Sequence, residues 1–451
     1  MREQKGKHKQ YLYNTRNQRK LFRDKRIKKL EQLYKRKNTD LLEENTLASK
    51  YNLVIRHLRK KKFVLRNVGW HAGEVYCIEI PETFAMFDDA ESAIVLLRKI
   101  YTLCKNTTIR KLIFDHSHCK VLGLSASTIM DIIVLAVEKY RETIGKPLDM
   151  EGIYPQNKEV CDILAASGLP HHLKAESDFQ YDTEKVAPFE TIHGFHDERG
   201  NRAGTIATEL TQYFDKCLKT QNMELNNEGK RILSRILGEV LNNCEIHGGV
   251  SSTWYTQGHY RVRSDEQYGE MQLLFLNIGE TIYEGLKNYS TSNETKNKLN
   301  YIVSRHRKYM SKQWDEEMIY TVCALQDGIS RLRDTQIAGY EGRGSGTVSM
   351  IEMFNDIGAS DTGLKPQMTI ISGKTQIIFS EEYKMQLVQF TEDKAFGTGE
   401  KQIIAFNKDN DIYQPSDFNN VKKLKQYFPG TVISLKFYLD SRYIAKRKEN
   451  R

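Results

Sequence analysis

Apolar and polar positions alternate with two different periods along this chain. Between residues 63 and 180, EVYCIEI (74–80), IRKLIFDHS (109–117) and LDMEGIYP (148–155) carry the two-residue period and β-branched content of strands. DDAESAIVLLRKIYTLCK (88–105) has a helical period. SASTIMDIIVLAVEKYRETIG (125–145) opens on serines suited to capping and stops at glycine, and NKEVCDILAASGLPHHL (157–173) stops at Gly168 and Pro170. Strands that alternate with helices predict an α/β layer domain. Residues 181–205 hold Asp, Glu, Pro and Gly without a clear period and read as a connector. Residues 206–245 read as helix, broken near QNMELNNEGK. Strands are then expected at YRVRSD (260–265), MQLLFLNI (271–278), QMTIISGKTQIIFS (367–380) and TVISLKFYL (431–439). The long helical and polar stretch 283–341 between them reads as a lid or insertion. Residues 1–62 are polar and proline-free, and NTRNQRKLFRDKRIKKLEQLYKRK predicts a basic helix with Ile27, Leu30 and Tyr34 at helical spacing.

Charge sharpens this division. The 451 residues carry a net +10, yet residues 1–62 alone hold 21 Lys/Arg against 6 Asp/Glu, which leaves the rest of the chain at −5. The basicity therefore belongs to an N-terminal arm, suited to nucleic acid or an acidic surface, or acting only as a solvated extension. At 39% hydrophobic and 10% aromatic residues the chain has enough apolar content for real cores. No apolar run reaches the roughly 18 residues of a membrane span, and no apolar core follows the charged N-terminus as a secretory signal would require. Seven scattered cysteines without a CxxC pair suggest reduced thiols and a cytoplasmic location.

Three segments carry candidate chemistry. In GEVLNNCEIHGG (238–249), Glu239 and Asn243 lie four apart on one helix face, with His247 a turn further. Glutamate can orient or deprotonate water, and an asparagine carbonyl can complete a magnesium shell. In LLFLNIGETI (273–282), Asn277 closes an apolar strand where its side chain can meet a base amino group, and Gly279 lets the backbone approach a ring. In EGRGSGTVSMIEMF (341–354), Gly342, Gly344 and Gly346 precede a helix and leave backbone N–H groups for phosphates.

As an ordered set these segments resemble the GHKL ATP-binding fold, the superfamily of DNA gyrase and histidine kinases. Residues 238–249 look like its N box, 277–281 like its adenine box, 342–346 like its glycine box, and Pro429-Gly430-Thr431 like its late Gly-Thr. The resemblance covers roughly 206–440. It implies an α/β sandwich, ATP and Mg²⁺ as cofactors, Glu239 as catalytic carboxylate, Asn243 as metal ligand, and His247, Asn277, Gly279, Gly342, Gly344, Gly346 and Thr431 at the nucleotide. The family usually has Asp at Asn277 and Gly at Thr281, which puts nucleotide preference in question. Residues 63–180 resemble the STAS fold of anti-anti-sigma factors through IRKLIFDHS, KVLGLSAS and IYPQNKEVCDILAASGL. That likeness makes Ser125 or Ser127 a candidate phospho-acceptor, with plain helix capping as the alternative. The expected organisation is a basic arm (1–62), a STAS-like α/β domain (63–180), a connector (181–205), a GHKL α/β sandwich (206–440) and a basic tail (441–451). Three functions stay open: a slow ATPase whose lid closure switches binding by the STAS-like domain or the arm, an anti-sigma-type protein-serine kinase, and a nucleic-acid-associated adaptor gated by ATP. The expected partners are a protein at the STAS-like domain, nucleic acid or an acidic surface at the arm, and a second copy of the chain, with no membrane. In Asp115-His116-Ser117-His118-Cys119 the alternation puts His116 and His118 on one face of a strand, but there is no distant second ligand pair, so zinc is disfavoured. His171-His172 read as helix-end residues, and Met350 and Met353 as core.

Overall fold

The computed structural model describes residues 51–65, 68, 73–173, 180–195, 202–247, 252–263, 268–330, 346–357 and 363–442. Residues 1–50 are divided from the unit Tyr51–Arg451 and lie outside this description, as does the basic helix expected at 14–37. The class is mixed α/β, with both parallel and antiparallel sheets. No described helix is long and apolar enough to cross a membrane.

The folded unit starts earlier than the sequence pattern suggests. Helix α1 (Tyr51–Lys60) buries Val54, Ile55 and Leu58, so the end of the expected arm belongs to the body. Strands β1 (Val75–Glu79), β3 (Lys111–Asp115) and β5 (Asp149–Ile153) form a parallel sheet in the order β1-β3-β5. A second, short parallel pair joins β2 (Thr83–Phe84) and β4 (Val121–Leu122). Helix α2 (Ala90–Lys105) is capped by Asp89, whose side chain accepts from Ser92 N at 3.0 Å. Helix α3 (Leu124–Thr143) is buried at every residue from Leu124 to Val137. A helix apolar around its whole circumference needs neighbours on all sides. Here α1, α2, α4 (Lys158–Ser167) and α5 (Leu169–His172) flank it, and a second sheet lies across it.

That second sheet has five antiparallel strands in the order β6-β7-β8-β12-β9, namely β6 (Val186–Phe195), β7 (Thr253–Arg263), β8 (Tyr268–Ile278), β12 (Val421–Leu439) and β9 (Gln367–Phe379). Strand β6 occupies what the sequence presents as connector. Pro188, Gly194 and a register shift between Phe189 and Ile192 break its alternation, and an edge strand tolerates all three. Strands β10 (Gln386–Asp393) and β11 (Gly397–Ile403) make a separate hairpin that the apolar pattern does not reveal.

Because side chains alternate across a strand, each strand of this sheet serves two layers. Met271, Leu273 and Phe275 of β8 join one core with α6 (Arg202–Lys219) and α7 (Asn227–His247). The intervening positions face the N-terminal elements and hydrogen-bond them. Gln272 Oε1 accepts from Leu124 N at 3.0 Å, and Ser125 Oγ donates to Ser434 Oγ at 2.6 Å. Thr128 donates to Gln257 Oε1, and Gln257 Nε2 donates to Ser167 O at 2.9 Å. Arg263 pairs with Glu159 at the rim. The stretch expected as a lid or insertion holds the packed helices α8 (Ile282–Leu286), α9 (Asn293–His306) and α10 (Glu316–Cys323), and Met318 and Cys323 of α10 enter the core together with Trp314 from the segment between α9 and α10. Residues 331–345 lie outside the described part.

Burial makes two residues sharp tests of this packing. Arg141 is 1% exposed and donates to five backbone carbonyls, those of Cys104, Asn106, Ile109, Lys146 and Pro147, at 2.7–3.2 Å. Arg141→Met strands these acceptors and should lower the urea midpoint by the equivalent of roughly 3 kcal/mol or more. On the seam, His259 is fully buried near Glu270 and Arg261, and burial pushes its pKa down to about 4. The folded form thus prefers neutral His259, so its contribution is complete above the ordinary value of 6.5 and is lost as pH falls toward 4. His259→Asn should remove about one proton from the slope of stability against pH in that window, as read by urea titrations at successive pH values.

Candidate functional site

Helix α7 presents Leu233, Ile236, Leu237, Val240, Leu241 and Cys244 as one apolar stripe to the core. This docking leaves Glu239 and Asn243, one turn apart, half-buried beside the stripe. Burial raises the pKa of Glu239, an effect that Arg235 one turn earlier opposes. A carboxylate so placed is a stronger proton acceptor than one in water. His247 is the last residue of α7.

Asn277, next to the end of β8, is 2% exposed and faces α7. Its Nδ2 donates to the carbonyl of Cys244 at 3.2 Å. A carbonyl can only accept, so this bond fixes the amide orientation and turns Oδ1 away from that carbonyl. That oxygen is buried and has no hydrogen-bond partner among the described residues. Native structures leave few such atoms, and each asks for an explanation. A ligand donor, such as an exocyclic amino group, would supply one.

Sheet register assembles the surroundings. Asn277 lies directly opposite Trp254 on one side and Thr431 on the other, and Thr431 is opposite Ser372. The Thr431 and Ser372 hydroxyls are 2.9 Å apart. Gly279 N donates to Pro429 O at 3.1 Å, which joins the loop that leaves β8 to the middle of β12. Gly430 has φ +148°, and a Cβ there would fall on the carbonyl oxygen of Asn277. The late glycine is thus required by a close approach of two backbones.

The structure therefore brings Asn243, Asn277, Gly279 and Thr431 to one end of the sheet, with Glu239 one turn along α7. Gly342 and Gly344 lie outside the described residues. Gly346 opens α11 (Gly346–Ile357), which packs against α7. Met350 is buried and Met353 packs against the core, as their spacing suggests. Thr281 acts locally, capping α8 in a reciprocal box with Glu284 through bonds of 3.1 Å in each direction. That T-x-x-E signal is legible in the sequence. Trp254 and Ser372 are not, because only strand pairing places them beside Asn277. The Trp254 indole lies over Gly194, where any Cβ would collide with it.

Other candidates change meaning. Ser125 and Ser127 neither cap α3, which starts after Gly123 with no side-chain cap bond, nor face solvent. Both are buried, with Ser125 bonded to Ser434, so neither is accessible for phosphorylation in this arrangement. His116 and His118 do not share a strand face, since β3 ends at Asp115. His116 is buried with its pKa pushed down to about 4, and no group of three or more metal-type side chains exists among the described residues. His171 and His172 do end a helix, and His171 contacts Glu190 at 3.1 Å. Two cavities lie elsewhere: one of about 450 Å³ beside Asp215 and Lys219, and one of about 180 Å³ at the seam beside Gln272 and Ser434. No protein-family model, curated protein or solved structure matches this chain.

The close approach at Gly430 gives a direct test. Gly430→Ala should lower the thermal midpoint by far more than Gly397→Ala. Gly397 also has positive φ (+74°) but open space around its Cβ direction, so only backbone strain of roughly 1 kcal/mol applies there. Equal shifts for the two variants would contradict the close packing at Asn277.

Proposed function

We propose that this chain is a Mg-ATP-binding regulatory protein of the GHKL type, a slow ATPase joined to a STAS-like domain. The observation that supports this reading most is the buried Oδ1 of Asn277, unpartnered among the described residues, on an amide whose Nδ2 is held by the helix that carries Glu239 and Asn243. Adenine offers an amino donor for that oxygen, where a guanine would present an acceptor. Asn here accepts as Asp does in the family, without the charge. Thr431 and Ser372 offer hydroxyls in the same row. A magnesium ion would be held by the Asn243 carbonyl together with phosphate oxygens, and would neutralise charge on the phosphates. Such a site needs no cluster of protein carboxylates. Glu239, desolvated at the edge of α7, orients the attacking water and takes its proton. The glycines at 342–346 cradle the phosphates.

Water is the acceptor in this reading because the candidate serines are enclosed. Binding at the strand ends would be felt on the opposite face through β8 and β12, whose intervening residues bond α3. Partners of the STAS-like domain would then respond to the state of the nucleotide.

The test follows the fate of γ-labelled ATP given with Mg²⁺. Wild type should release free phosphate. Glu239→Ala should cut release about 100-fold or more while keeping ATP binding, and Asn243→Ala should weaken both. Label retained on a serine would make the protein a kinase, and absence of ATP binding would remove the basis of the proposal.

A further inference from the structure

Between Glu294 and Asp315 the chain carries six Lys/Arg and no acidic residue. The two bounding carboxylates are already engaged, Glu294 with Lys298 and Asp315 with Lys423 at 2.6 Å. Arg305, Arg307, Lys308 and Lys312 are exposed, and among the described residues none has a carboxylate within ion-pair distance. Other cations of the same lobe do find carboxylates, as with Lys287–Glu316 and Lys401–Asp327. The carboxylates of the nearest loops are held by other partners. Asp393 accepts from Tyr413 OH at 2.6 Å and from Ala395 N, and Asp411 accepts from Tyr413 N and Gln414 Nε2.

The cations stand on a fixed base. His306, buried at the end of α9, reaches the carbonyl of Ile412 at 2.9 Å and accepts from Trp314 Nε1 at 3.0 Å. The turn Arg307–Tyr309 is thereby anchored from beneath, and little backbone entropy remains to be lost on binding. Lys394, at the tip of the β10–β11 hairpin, extends the patch by lying 5.7 Å over Tyr301. Arg305 lies 6.0 Å over Tyr413, and Lys308 lies 4.7 Å over Tyr309. These three tyrosine rings are thus covered by cations and offer no bare platform for stacking bases.

We infer that Arg305, Arg307, Lys308 and Lys312 form a docking surface for the phosphate backbone of nucleic acid, independent of base sequence. Its preorganised, uncompensated charge fits the dense and regular phosphates of a duplex, where release of counterions drives binding. A lipid surface fits less well, since only two large apolar side chains near this turn, Met310 and Phe418 beside Trp314, are exposed among the described residues, against four uncompensated cations.

The experiment uses the full chain and a fluorescein-labelled, mixed-sequence DNA duplex of about two helical turns, read by fluorescence polarisation between about 50 and 200 mM salt. Arg305→Ala, Arg307→Ala, Lys308→Ala and Lys312→Ala together should reduce the slope of log affinity against log salt by about 3 to 4. Affinity at the middle of the range should fall at least tenfold, with an unchanged thermal midpoint. Lys139→Ala, Lys146→Ala, Lys158→Ala and Lys216→Ala together remove equal charge elsewhere and should leave the slope nearly unchanged. Because both variants keep the N-terminal arm, its contribution cancels. Should the fourfold variant fold poorly, Lys308→Gln with Lys312→Gln, both outside α-helix, should give about half the slope change. Equal losses in the two fourfold variants, no loss in the patch variant, or a loss seen only on anionic vesicles would each overturn the assignment.

Discussion

Both faces of the five-stranded sheet are covered, and most of the molecule is arranged by that constraint. An antiparallel sheet can leave one face to water, in which case alternate residues are polar without needing partners. Here the alternate residues of β7, β8 and β12 are enclosed, so a polar one left without a partner costs free energy. Gln257, Gln272 and Ser434 are matched by α3 and by the carbonyl of Ser167. The same requirement explains why α3 is buried around its circumference and why a histidine on this face, His259, is held neutral. The opposite face is apolar until the strand ends, where the row Trp254, Asn277, Thr431 and Ser372 turns polar beside α7.

The two faces belong to the same strands, and this links the candidate site to the rest of the fold. Gly430 lets β12 approach Asn277, and four residues later Ser434 bonds Ser125 on the other side. A second link runs through α8. Glu284 closes the cap of Thr281, accepts from Tyr427 OH at 3.0 Å, and pairs with Lys61 just after α1. The loop that leaves Asn277 is therefore tied both to β12 and to the start of the folded body.

Much of the fold is legible from local signals. The parallel β1-β3-β5 layer, α2, α3 and the strands around 271–278 and 367–380 follow their periods. What local signals miss depends on pairing at a distance. Strand β6 is specified by its partner β7 more than by its own pattern, which Pro188 and Gly194 interrupt. The start of α3 differs from its apparent caps because Ser125 is held by Ser434, more than three hundred positions away, and Ser127 is buried inside the helix. At the site, Asn277, Gly279 and Thr431 stand out in the sequence, while the unmatched Oδ1 of Asn277 and the row of Trp254 and Ser372 arise only from sheet register.

The central claim is that Asn277 accepts a hydrogen bond from an adenine amino group. Calorimetric titration of the full chain with ATP and with inosine triphosphate, both with Mg²⁺, tests it most directly. The two nucleotides share phosphates and ribose, but hypoxanthine presents an acceptor where adenine presents a donor. ATP should bind, and inosine triphosphate should bind at least about tenfold more weakly, because Oδ1 would then face another acceptor. Equal affinity for the two nucleotides, or no affinity for ATP, would contradict the claim.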